Sequence, residues 1–248
     1  MDQNLQDIAD KIIKYLDQKN VQYSDVRADQ QVKNSALIEN NDIEHIKNNE
    51  DKGVGVRLIK NGTWSFCSIT NPNSFDEIKN ILDNTIKNSD YRNINNKKVE
   101  LHSNPANKRE INFPVLKKPD IEELIKMGLE CNKIISTTPK IIKSITHASY
   151  TTNSKYFVNS EGSKILQNFT DIIMEMVATA HESGQTQSVN ITEGGRGGLE
   201  LITNKIQKSA KEILDALIND KPLKPGSFRG RKNTAPEKSL NTNGEKHA

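Results

Sequence analysis

The chain has 248 residues, of which 33% are hydrophobic and 27% charged, with a mean hydropathy of -0.72 and a formal charge of +3. The positive balance is local: residues 221–248 hold seven Lys/Arg against two Glu, which leaves the first 220 at -2 and without the basic footprint of a nucleic-acid binder. The N-terminus, MDQNLQDIADK, is charged from residue 2 and no apolar run is long enough to span a bilayer, so neither secretion nor membrane insertion is expected and the predicted compartment is the cytoplasm.

Leu5, Ile8, Ala9, Ile12, Ile13 and Leu16 recur at three- and four-residue spacing, the stripe of an amphipathic helix. Strand-like segments follow: YSDVRADQQV, SALIEN, DIEHIK and GVGVRLIK. Asn61-Gly62 separates GVGVRLIK from TWSFCSIT, and both residues accept positive φ, so a hairpin is expected there. The block reads as an antiparallel meander. Phe75, Ile78, Ile81, Leu82 and Ile86 then mark a second helix, with Ser74 as its N-cap.

From about 92 to 119 the chain is rich in Asn, Lys and Pro, and it reads as a flexible linker with little regular structure. Ile121, Leu124, Ile125, Gly128 and Leu129 restart a helix after Pro119-Asp120. Two strand-like runs, IIKSITHASYTTN and KYFVNSEG, lead to a turn at Ser160-Glu161-Gly162. KILQNFTDIIMEMVATAHE places Ile172, Met174, Met176, Ala178 and Ala180 on one side of a half-buried strand. SGQTQSVNITEGG is its return strand, and a last helix is predicted from Leu199 to about Asn219. Residues 221–248 are expected to be a disordered basic tail, since so few apolar side chains cannot offset the entropy of ordering. The fold class is therefore α+β: an antiparallel meander and hairpin sheet packed with amphipathic helices, in one domain over 1–220.

HESGQT, beginning at His181, has the opening of an H-E-x-x-H zinc-protease motif, but Gln185 stands where the second imidazole belongs. It follows a period-two run, so His181 and Glu182 should point to opposite faces and Ser183-Gly184 should turn. Only a tertiary approach of His147 to His181 would begin a metal site. EGGRGG, from Glu193 to Gly198, precedes a helix as phosphate-binding glycines do. No Lys-Ser/Thr follows, and glycines for a sharp turn or close packing are the plainer reading. Gly53 and Gly55 lack the third glycine of a dinucleotide fingerprint and read as strand glycines approached by another backbone. Cys67 and Cys131 have no C-x-x-C partner and read as buried or half-buried thiols. No residue is assigned a catalytic, cofactor-binding or metal-binding role.

Together YSDVRAD, GVGVRLIKNGTWSFCSITN, YFVNSEGSKI and GGRGGLE resemble, in order and spacing, the N-terminal domain of the TldD/PmbA family, also called modulator of DNA gyrase. The resemblance implies a zinc metallopeptidase architecture that cleaves unstructured peptides and works with a PmbA-type subunit lacking the zinc motif. It also implies that the zinc site, a helical His-Glu-x-x-x-His and a distant cysteine, lies beyond the helix at Leu199–Asn219. No His-Glu-x-x-x-His occurs here, so the chain is expected to hold no zinc and to be inactive alone. LKPGSF, ending at Phe228, resembles the lead-in to that second half. The expectation is a truncated or frame-shifted form. The alternatives are one half of a split peptidase, or an interaction module that binds a TldD/PmbA-type subunit or an extended peptide through open strand edges.

Overall fold

A computed structural model describes residues 1–72, 74–92, 98–99, 101–219 and 228–229. The chain begins with α1 (Gln3–Asp17), whose N-cap Asp2 accepts the Asn4 N–H. Its buried residues are the six predicted from spacing, Leu5 to Leu16. Burying an Ile or Leu stabilises by roughly 2 kcal/mol, so this stripe, more than helix propensity, holds α1 in place.

Strands β1 (Tyr23–Glu39), β2 (Asp42–Lys60) and β3 (Thr63–Thr70) form the meander. YSDVRADQQV and SALIEN are one strand, and so are DIEHIK and GVGVRLIK. Polar stretches such as QQVKN and NNEDK interrupt the apolar pattern without interrupting the backbone ladder, which pairs residues 23–39 with 42–59. Asn40-Asn41 and Asn61-Gly62 turn the two hairpins, with positive φ at all four residues (50°, 73°, 52° and 75°), as two-residue hairpin loops require. Helix α2 (Phe75–Arg92) follows, and Ser74 Oγ accepts the Glu77 N–H at 3.4 Å.

The expectation of little regular structure between 92 and 119 is corrected at one place. Lys108–Asn112 forms a short strand, β4, parallel to the start of β6 (Lys164–Glu182). Its pairing partner is 56 residues downstream, at the Lys108–Lys164 rung, so nothing in the local sequence marks it. Helix α3 (Ile121–Ile135) is capped by Asp120, which accepts from Glu122 and Glu123 N–H. IIKSITHASYTTN and KYFVNSEG join as one strand, β5 (Ile141–Asn159), and β7 (Gln185–Arg196) returns from β6. The predicted helix from Leu199 divides into a short 3-10 turn, Leu199–Leu201, and α4 (Ile206–Ile218). A two-residue strand, β8 (Phe228–Arg229), pairs with β7; the tail expectation otherwise falls outside the described residues.

The sheet runs β3-β2-β1-β5-β6-β7-β8, antiparallel along that path, with β4 alongside the first part of β6 and β7 alongside the rest. Val26, Ala28, Ala36 and Ile38 of β1 are all fully buried. Strand alternation sends them to one face, and the helices cover that face in two groups. Near one end, α1 and α2 bury Val26, Val54, Val56, Leu58 and Val158. Near the other, α3 and α4 bury Ala148, Ile172, Met174, Met176 and Ile191. Between them Val32 is half-buried and Thr152 exposed. The opposite face carries Arg27, Asp29, Lys33, His147 and Lys155 and is not covered by these helices.

Candidate functional site

His181 sits where the hairpin reading puts it. It pairs with Thr186, its Nδ1 lies 3.0 Å from Thr186 Oγ1, and Ser183-Gly184 turn with φ of 51° and 78°. Glu182 is held by Lys140 at 2.7 Å. His147 lies opposite Glu175 on β6, six residues along that strand from His181. At about 3.3 Å per residue the two imidazoles are anchored roughly 20 Å apart. Zinc bonds to nitrogen are about 2 Å long, so one ion cannot use both. Among the described residues no group of three or more His, Cys, Asp or Glu could hold a metal ion. The donor set does not fit the zinc that the resemblance implies for the family.

The EGGRGG segment is a packing device. A Cβ on Gly194 (φ 147°) would stand 2.0 Å from the Ile172 carbonyl oxygen, and one on Gly198 would stand 2.0 Å from that of Lys117. The donors that a phosphate would need are already taken: Glu200 accepts from the N–H of Gly198 and of Lys117, each at 2.8 Å. Burial alone would raise the Glu200 carboxyl, but these backbone donors outweigh it and hold it below the ordinary value. Arg196 is likewise engaged, 4.0 Å above the Phe169 ring, 5.0 Å from that of Phe113 and 3.2 Å from Asp171. Gly53 is approached as expected, with Ile69 O 3.0 Å from a built Cβ. Gly55 has open space instead, so its glycine is not explained by packing.

The aspartate of YSDVRAD forms the most buried charge arrangement described. Asp25 is fully buried and sits directly opposite Arg57 on β2. Arg57 donates from Nε and Nη2 and lies 5.3 Å from the Trp64 ring centre. Its hydrogen bonds to Asp25 raise its already high pKa. The carboxylate is desolvated and already engaged by the guanidinium through both oxygens, an arrangement whose loss on one side only would be costly. The cysteines are as expected, Cys67 half-buried and Cys131 buried.

What remains open is an edge. β3 covers β2 only over Gly53–Lys60, so among the described residues no strand pairs with the outer side of residues 42–52. The Lys52 carbonyl accepts from Asn71 N–H, on the side away from β1. Backbone groups alternate along a ladder, so those of Ile46, Asn48 and Glu50 also face outward. All three residues are exposed. Reading by alternation missed this stretch because NNEDK is polar on both sides; its signal is the length mismatch between β2 and β3.

The geometry thus defines a strand-rich α+β fold with two helix-covered cores on one continuous sheet and, among the described residues, no metal set and a long free edge. Residues 24–89 match PmbA/TldA metallopeptidase domain 1 and residues 114–217 the PmbA/TldA metallopeptidase central domain. The second helix-covered core falls wholly within 114–217, whereas the first also draws on α1, ahead of residue 24, and on Tyr156 and Val158 of β5. The chain belongs to the PmbA/TldD metallopeptidase family. It is 28% identical over 215 residues to a metalloprotease of Methanocaldococcus jannaschii, covering 84% of this chain and 47% of that protein. A metalloprotease of Methanothermobacter thermautotrophicus is 22% identical over 185 residues, covering 73% and 39%. The fold is shared with a crystal structure described as a modulator of DNA gyrase from Bacteroides thetaiotaomicron (TM-score 0.71, 17% identity, 88% of this chain and 51% of that one). It is also shared with TldE from Thermococcus kodakarensis (TM-score 0.64, 14% identity, 83% and 47%). The chain spans about half the length of these relatives or less. No helix among the described residues is long and apolar enough to cross a membrane.

Proposed function

We propose that this chain is a non-catalytic part of a TldD/PmbA-type peptidase system, inactive by itself and acting in the cytoplasm on or beside unstructured peptides. The observation that supports this most is the donor set: His147 and His181 are anchored roughly 20 Å apart along the sheet, and no third ligand accompanies either among the described residues. Without such a set there is nothing to lower the pKa of a water or polarise a carbonyl. The purified chain, given zinc and an unstructured fluorogenic peptide, is expected to show no turnover. Zinc-dependent cleavage removes the proposal. If the system is split, adding a separate polypeptide that bears His-Glu-x-x-x-His restores cleavage.

The free edge of β2 favours a second reading, an interaction module that recruits another chain by strand addition. The two are compatible, since a part without metal ligands can still position a partner. Association of the purified chain with a TldD/PmbA-type subunit, read by co-elution, supports this reading, and absence of any association counts against it.

A further inference from the structure

The β2 edge has a charge order that is complementary to itself. A two-fold axis through Asn48, normal to the sheet, lays one edge antiparallel on a second and preserves the faces of both. Asn48 then faces Asn48, Ile46 faces Glu50, Lys47 faces Asn49, His45 faces Asp51 and Glu44 faces Lys52. No like charges stand opposite each other. Moving the axis to Asn49 also keeps like charges apart, but it sets Ile46 against Lys52, whose carbonyl already accepts from Asn71, and leaves about four main-chain bonds where the Asn48 register has about six. Moving it the other way brings like charges together. Centred on Lys47 it sets Glu44 against Glu50, and centred on Ile46 it sets Asp42 against Glu50. Like charges directly opposite are unfavourable.

The main-chain groups agree with the same register. Ile46, Asn48 and Glu50 are the residues whose N–H and C=O face outward, and in this register they meet each other, forming about six hydrogen bonds. Ile43 and Ile46 are 46% and 56% exposed in the single chain. β3 ends the pairing at Lys52, whose carbonyl already accepts from Asn71. At the other end the irregular step opposite Leu37 and Ile38 bends the strand after Glu44.

We infer that two copies of this chain join through residues 44–52 of β2, in the register centred on Asn48, to make one sheet continuous across both. This rests on the interaction-module reading and names its partner.

The test uses the full 248-residue chain in a Cys67→Ser background. Sedimentation velocity at tens of micromolar is expected to show a dimer. On mild oxidation Asn48→Cys should cross-link to its own copy, because directly opposed hydrogen-bonded residues have Cα atoms about 5.5 Å apart, suited to a disulfide. Glu50→Cys, which faces Ile46, should not. Asp51→Lys and His45→Asp should each weaken the dimer about tenfold, and the two together should restore it. A dimer indifferent to these charges and not linked at Asn48 overturns the inference and leaves the interaction reading standing. So does a monomer that binds an unstructured peptide or a TldD/PmbA-type subunit at the same edge. A monomer that associates with nothing overturns both.

Discussion

Arg57 lies against the fully buried Asp25 carboxylate, with Nε 2.9 Å and Nη2 2.6 Å from Oδ2, and the two residues are direct cross-strand partners on β1 and β2. The pair joins the strand that runs under both cores to the one that carries the free edge. Removing the cation alone would strand a desolvated charge. Arg57→Leu is expected to cost about 3 kcal/mol in chemical denaturation, whereas adding Asp25→Asn to it should recover a large part of that loss. Equal and additive losses would show that the ion pair is not coupled.

Gly194 and Gly184 both have positive φ, 147° and 78°, but only Gly194 is confined. A methyl group at Gly194 would meet the Ile172 backbone, which cannot rotate aside, while at Gly184 it meets open space. Gly194→Ala should therefore cost several-fold more stability than Gly184→Ala, whose penalty is about 1 kcal/mol from backbone conformation alone. Thermal denaturation of both variants checks this.

Asn132 is a buried hub on the inner face of α3. Its Nδ2 donates to Thr146 Oγ1 at 2.9 Å, and its Oδ1 accepts from Asn41 N–H at 3.1 Å and Ser144 Oγ at 2.5 Å. It thus ties the β1–β2 turn to the second core. Asn132→Ala removes the partner of Thr146 Oγ1 and of the Asn41 N–H, while Ser144 Oγ keeps Ser136 Oγ at 2.9 Å, and is expected to cost about 1–3 kcal/mol. Hydrogen exchange should show faster opening of the Asn40-Asn41 turn before the rest of β1.

Burial pushes the Cys131 thiol up to about 12 from an ordinary 9.0, and raises Cys67 as well. The folded state keeps the Cys131 proton that the unfolded chain releases. The associated stability is complete below about pH 8.5 and is lost as pH rises toward 12. Cys131→Ala should flatten the alkaline side of the stability profile, apart from a uniform loss for the vacated volume. A thiol reagent at pH 8 should leave Cys131 unmodified until the chain unfolds.

Much of the scaffold was legible from residue spacing. The α1 stripe, the Asn61-Gly62 hairpin, the β6 alternation and the turn at Ser183-Gly184 each arise from neighbours a few positions apart. What local pattern did not show was set by distant pairing. QQVKN and NNEDK remain in strand because β1 and β2 pair along their whole length, and β4 exists because β6 lies beside it. The free edge was equally hidden, since an edge is defined by where a neighbouring strand stops. The glycines of EGGRGG were assigned to packing by elimination. Their physical reason, the Ile172 and Lys117 carbonyls, lies 22 and 81 positions from Gly194 and Gly198.

The central claim, that this part of the PmbA/TldD architecture carries no metal site of its own, is tested most directly by equilibrium dialysis of the purified chain against zinc, followed by metal analysis. Well under one zinc per chain should remain after washing with a weak chelator. One tightly held zinc per chain, lost on replacing His147 or His181, would contradict the claim.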